Sequence, residues 1–143
     1  MRFLRLFIIL FCSSIFLFYS SAMANEEAKY EVIQKNEIYE VRKYSDRLAV
    51  ETFESNQNSG FRKLFNYISG NNKLNTKISM TTPVTRTKKN GNMTMQFYLP
   101  SQFNQESAPD PSNNEVKLVN VEGGYYAVIR YSGRASDKNF IKH

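Results

Sequence analysis

Apolar residues recur along the chain with two different periods, and the change from one to the other predicts the elements. Ile38-Tyr39-Glu40-Val41-Arg42-Lys43-Tyr44 alternates at period two, with Tyr39 and Val41 on one face of a half-buried strand. Ser45-Asp46-Arg47 turns the chain, and residues 48–53 read as a second strand. After the polar stretch 55–59 the period lengthens. Phe61, Leu64, Phe65 and Ile68 fall at i, i+3, i+4 and i+7, the stripe of an amphipathic helix. Ser59 is placed to cap that helix and Gly70 to close it.

Residues 78–87 are rich in β-branched side chains and read as a strand. Pro83 removes a ladder donor from it and so predicts an edge position or a bulge. Asn90-Gly91 is type I′ hairpin chemistry, and residues 93–99 return as the partner strand. Residues 100–114, with three of the four prolines, read as a surface connection. Residues 116–121 and 125–131 predict a further hairpin about Glu122-Gly123-Gly124. The second of these strands is apolar on both faces, so a central, doubly covered position is expected. Residues 48–53 and 126–131 also match in pattern at an offset of 78, which suggests a repeated ββαββ unit. The first copy is complete, whereas in the second Ser136 would cap a helix just before the chain ends.

The first 24 residues differ in kind from the rest. Arg2 and Arg5 precede an apolar stretch over residues 6–19, Ala22-Met23-Ala24 ends it, and Asn25-Glu26-Glu27 follows. That order predicts a secretory signal over 1–24 and an exported domain over 25–143, periplasmic or secreted. A spanning helix needs about 20 apolar residues, so no stable membrane anchor is expected after cleavage. Cys12 follows the bulky Phe11, which argues against lipidation at that thiol.

Cleavage would remove the one cysteine, and with it disulfides, thiolate metal sites, covalent c-type haem attachment and a Cys nucleophile. The one histidine, His143, stands at the last position, which disfavours His-based zinc sites and a Ser-His-Asp triad. The formal net charge of +6 over 143 residues indicates no nucleic-acid binder. Glu37, Glu40, Glu51 and Glu54 are scattered over strands without a clustered acid–base pair and read as a solvated face.

Five segments resemble the SOUL/haem-binding protein family: Tyr39 to Tyr44, the helix from Phe61 to Gly70, Lys77-Ile78-Ser79-Met80-Thr81-Thr82-Pro83-Val84, Met95 to Pro100, and Tyr131-Ser132-Gly133. The third is the most specific, being similar to the family's I-x-M-T-x-P-V signature. The resemblance spans about residues 30–140 and implies an α+β fold. In that fold a duplicated ββαββ unit forms a distorted antiparallel β-barrel with flanking helices. It also implies a second helix and two strands with an Arg-Arg-Asn-Glu run, before which this sequence stops. The second repeat is therefore expected to be incomplete, with an exposed edge through which the chain could dimerise.

The resemblance further implies an apolar groove that holds haem or another tetrapyrrole, non-covalently and in a transient manner. On the matching helix Phe61 and Phe65 would form its walls, backed by Leu64 and Ile68. Asn66 stands where a basic residue would meet a propionate, and Arg62 and Lys63 point away by helical spacing. Such a stripe is more often plain core than ligand pocket. Met80 likewise fits a core or bulge position better than an axial ligand, so binding without a fixed iron ligand is expected. Two other readings compete: a module for other amphipathic small molecules, by fold analogy, and a tetrapyrrole-modifying enzyme. A non-enzymatic binder is the expectation.

Overall fold

The computed structural model describes residues 25–54, 59–89 and 91–133. The expected leader over 1–24 and the helix expected from Ser136 lie outside the described residues. In chain order these form β1 (Glu26–Glu27), β2 (Tyr30–Lys35), β3 (Glu40–Tyr44), β4 (Arg47–Glu54), α1 (Ser59–Ile68), β5 (Thr81–Thr82), β6 (Val84–Lys89), β7 (Asn92–Tyr98), β8 (Val116–Val121) and β9 (Gly124–Val128).

The main sheet has the order β6-β7-β4-β8 and is antiparallel throughout. Its register sets Val50 opposite Phe97 and Leu118, and Thr52 opposite Met95 and Val116. The period-two alternation of β4 therefore gathers these side chains on one face, and α1 packs across β4 and β7 on that face. Leu64, Tyr67 and Ile68 enter the core beside Val50, Met95 and Phe97. Each large apolar side chain so buried contributes about 1.5–3 kcal/mol. At the far end of α1, Gly70 takes a φ of 113°, and Asn71 N–H donates to the Asn66 carbonyl at 3.0 Å. The six-residue closure and the left-handed glycine satisfy carbonyls that the end of the helix would otherwise leave unbonded.

The helix, the edge position of the strand after Pro83 and the antiparallel return of β7 on β6, with Lys89 opposite Asn92, agree with the sequence pattern. The 78–87 strand is shorter than expected. It divides at the cis Thr82–Pro83 bond into β5, paired in parallel with β1, and β6 at the sheet edge.

Four expectations are corrected. β8 and β9 are not a hairpin, since β8 pairs with β4 while β9 pairs with β3 in a second sheet of order β2-β3-β9. The chain changes sheets at both the β3–β4 and β8–β9 corners because the corners lock together. Asp46 Oδ1 accepts the Gly123 N–H at 2.8 Å, and only a residue without a side chain fits there. Nor is the 125–131 strand central. β9 lies at the edge of its sheet with Tyr125 66% exposed, because its apolar side chains belong to a sheet that no helix covers among the described residues.

The strands form separate sheets rather than a closed barrel among the described residues, with β6 and β8 both left as edges. One helix of regular length accompanies them there. Finally, the carboxylates are not one solvated face. The Glu54 side chain is buried and ion-paired with Arg86, Glu51 accepts from Gln96 at 2.7 Å, and Glu40 pairs with Lys35 and Arg42. The Lys35 and Arg42 hydrogen bonds hold the Glu40 carboxyl below its usual range. β2 is an additional strand that the periodicity did not show. Asn36 Oδ1 turns the chain from β2 into β3 by accepting the Ile38 and Tyr39 N–H groups at 2.9 and 2.8 Å.

Candidate functional site

The helix stripe divides in two. Leu64 and Ile68 are buried against the sheet, together with Tyr67, whereas Phe61 and Phe65 are 42% and 48% exposed. The two phenyl rings stack with centroids 5.9 Å apart and planes 12° from parallel, and Phe61 meets the buried Phe97 ring edge-on at 5.3 Å. Phe97 pairs across the sheet with Val84 of the edge strand β6. On the other flank of α1, Lys63 reaches Glu115, just before β8, at 2.7 Å. The helix therefore turns its aromatic flank towards β6 and its basic flank towards β8.

An apolar shelf results, bounded by Phe61, Phe65 and the exposed Val84. Alternation along β6 places Arg86 and the exposed Lys88 on the Val84 side. Arg86 is engaged by Glu54. Asn66 is exposed beside Phe65 on α1, and Met80 is half-buried against the core cluster. Of the expected site residues, then, Phe61, Phe65 and Asn66 present themselves at the surface, Met80 is partly covered, and Leu64 and Ile68 support them from within.

The pattern did not single out Tyr67, although it shares the inner face of the helix with Leu64 and Ile68. Its hydroxyl donates to the Pro109 carbonyl at 2.7 Å, and burial pushes its pKa up to about 12. The 100–114 connection is thereby partly interior, with Ala108 and Pro109 buried against the helix. Beside Tyr67, the buried Asn72 donates to the Tyr67 and Thr76 carbonyls at 3.0 and 2.7 Å. Its Oδ1 accepts from Leu74 and Thr76 N–H at 3.2 and 3.1 Å. These bonds tie down the loop that leads out of α1, so the aromatic flank sits on a fixed base.

As an iron donor set the shelf does not fit, since the Met80 thioether is turned to the core cluster. Among the described residues no group of three or more His, Cys, Asp or Glu side chains could hold a metal ion. As a flat apolar seat, with two parallel rings and a cationic strand edge, it does fit a planar ligand. Two recesses open elsewhere. One of about 300 Å³ lies between the β3–β4 corner, β5 and the end of β7, and one of about 550 Å³ lies beside the β2–β3 turn and residues 128–131. Neither is lined by the six expected site residues.

The architecture is that of an α+β domain, one amphipathic helix on a mostly antiparallel sheet with two aromatic rings of the helix half exposed. The family model described as SOUL heme-binding protein matches residues 25–143, and the chain belongs to that family. No curated protein matches the chain.

Proposed function

We propose that the protein binds haem or a related tetrapyrrole non-covalently on the Phe61–Phe65 flank of α1, without a fixed axial ligand, as a carrier rather than a catalyst. The observation that carries this reading is the pair itself. Two parallel phenyl rings on one helix flank stay almost half exposed while Leu64, one position away, is fully buried. Covering the half of each ring that is still exposed contributes about 1 kcal/mol apiece, and a planar macrocycle covers both at once. Membership of a haem-binding family supports the choice of ligand.

In this reading Phe61 and Phe65 make the apolar contact, with Leu64 and Ile68 holding the helix in place behind them. Met80 stays with the core cluster behind the shelf, and Asn66 offers a neutral polar contact. Lys88 on β6 offers a cation to the ligand's carboxylates. The leader-like order of residues 1–24 supports delivery outside the cytoplasm, to a periplasm or the medium. The β2-β3-β9 sheet, which no helix covers among the described residues, supports self-association through an edge.

Native mass spectrometry with haemin and with a cationic dye of similar size tests the proposal. Haemin should be retained at one equivalent, and Phe61→Ala with Phe65→Ala should weaken it about 10–100-fold. Equal retention of the dye, or haemin binding indifferent to both substitutions, would remove the assignment. Turnover of the pigment over many equivalents would replace the carrier reading by an enzymatic one.

A further inference from the structure

The 300 Å³ recess is built from parts of the fold that the helix surface does not use. Its wall at the β3–β4 corner is Arg47. The Arg47 guanidinium lies over the Tyr98 ring at 4.0 Å and over the Tyr44 ring at 4.5 Å. Its Nε is buried and has no hydrogen-bond partner, and no carboxylate pairs with it among the described residues. A buried guanidinium N–H left unbonded is costly, and rings packed on the guanidinium leave its N–H edge as the part that can bond.

The two acids of the recess are each held at one oxygen by a backbone N–H and keep their charge, which Arg47 and Lys29 balance. Asp46 Oδ1 accepts the Gly123 N–H at 2.8 Å, and Glu26 Oε1 accepts the Ser101 N–H at 2.9 Å. Lys29, also on the wall, has no ion-pair partner among the described residues. Leu48, Leu99 and Phe103 add apolar lining. The volume stands at the lower end of small-molecule sites, roughly 300–1,000 Å³.

From these features we infer that the recess is a second binding site, for a small carboxylate with an aromatic or aliphatic body. The carboxylate oxygens meet the in-plane N–H edge of Arg47, which matches them as a fork. Lys29 adds charge at the mouth, and the body of the ligand rests on Leu48, Leu99 and Phe103. The site shares no residue with α1, so it stands or falls apart from the tetrapyrrole proposal.

Titration of the ¹⁵N-labelled full chain with sodium benzoate, followed by the backbone amides and the Arg47 Nε–H, tests this. Saturable shifts are expected at residues 45–48, 81–82 and 98–101, with the Arg47 Nε–H moving to the position of a bonded proton. Benzamide, of the same shape but neutral, should bind about tenfold more weakly. Arg47→Gln should abolish saturation. Because Arg47 also packs on two rings, the exposed Lys29→Gln serves as the variant that leaves the fold alone, and it should weaken benzoate several-fold. Absence of saturation, equal binding of benzamide, an unmoved Arg47 Nε–H, or shifts confined to Phe61 and Phe65 would each overturn the inference.

Discussion

Gly123 approaches the β3–β4 corner so closely that a β-carbon built on it would collide with the Tyr44 carbonyl oxygen and stand 2.7 Å from the Ser45 carbonyl carbon. All the atoms it would meet there are backbone, so no side-chain rotation relieves the clash. The contact joins the two places where the chain passes between sheets. Gly123→Ala is therefore expected to cost about 3 kcal/mol or more, read as a lower urea midpoint. A variant within 0.5 kcal/mol of the parent, roughly the scatter of harmless surface changes, would show that the corners do not hold each other.

The two halves of the helix stripe should respond differently to truncation. Leu64 is fully buried, so Leu64→Ala should cost about 2–5 kcal/mol through lost burial and a residual cavity. Phe65 is 48% exposed, and Phe65→Ala should cost less than about half of that while weakening haemin binding. Denaturant melts and haemin titrations on the same two proteins give the comparison. Equal stability losses would place Phe65 in the core and remove it from the binding surface.

Tyr67 makes stability depend on alkaline pH. Burial raises its pKa from 10.0 to about 12 in the folded protein, so the native state favours the neutral phenol. Its contribution is complete below pH 10, where the unfolded chain is also neutral, and is lost as pH rises from 10 towards 12. Tyr67→Phe removes the titration along with the hydrogen bond to Pro109. It should be less stable at pH 7 by about 1–2 kcal/mol, and its stability should fall less steeply above pH 10. Parallel curves for the two proteins through that range would refute the assignment.

Asn72 serves both as donor and as acceptor in the loop after α1. Asn72→Asp keeps the acceptor but turns a carboxylate towards the Tyr67 and Thr76 carbonyls, while Asn72→Ala loses both functions. Each should cost about 2–3 kcal/mol at neutral pH. The Asp variant should regain part of its stability on acidification, when the protonated carboxyl can donate. Thermal melts at pH 7 and pH 4 would expose the difference, and an Asp variant with no gain in acid, relative to the parent, counts against the donor role.

The sequence by itself determined the elements whose evidence is local. The stripe at 61, 64, 65 and 68 with Gly70 beyond it specifies a helix and its end, since side-chain spacing and a left-handed glycine act within a few residues. Asn90-Gly91 specifies the β6–β7 hairpin for the same reason, and the 77–84 segment with its neighbours carries the family likeness. Only the tertiary structure decided which strands meet. Two runs joined by a short turn look alike in sequence whether they fold back as a hairpin or part at a corner, and the close contact of Gly123 with Tyr44 is made across a long separation in the chain. Likewise the periodicity marks Phe61 and Leu64 alike as apolar. What separates them is the position of the helix axis over β4 and β7, which buries Leu64 against the sheet and leaves Phe61 at the surface.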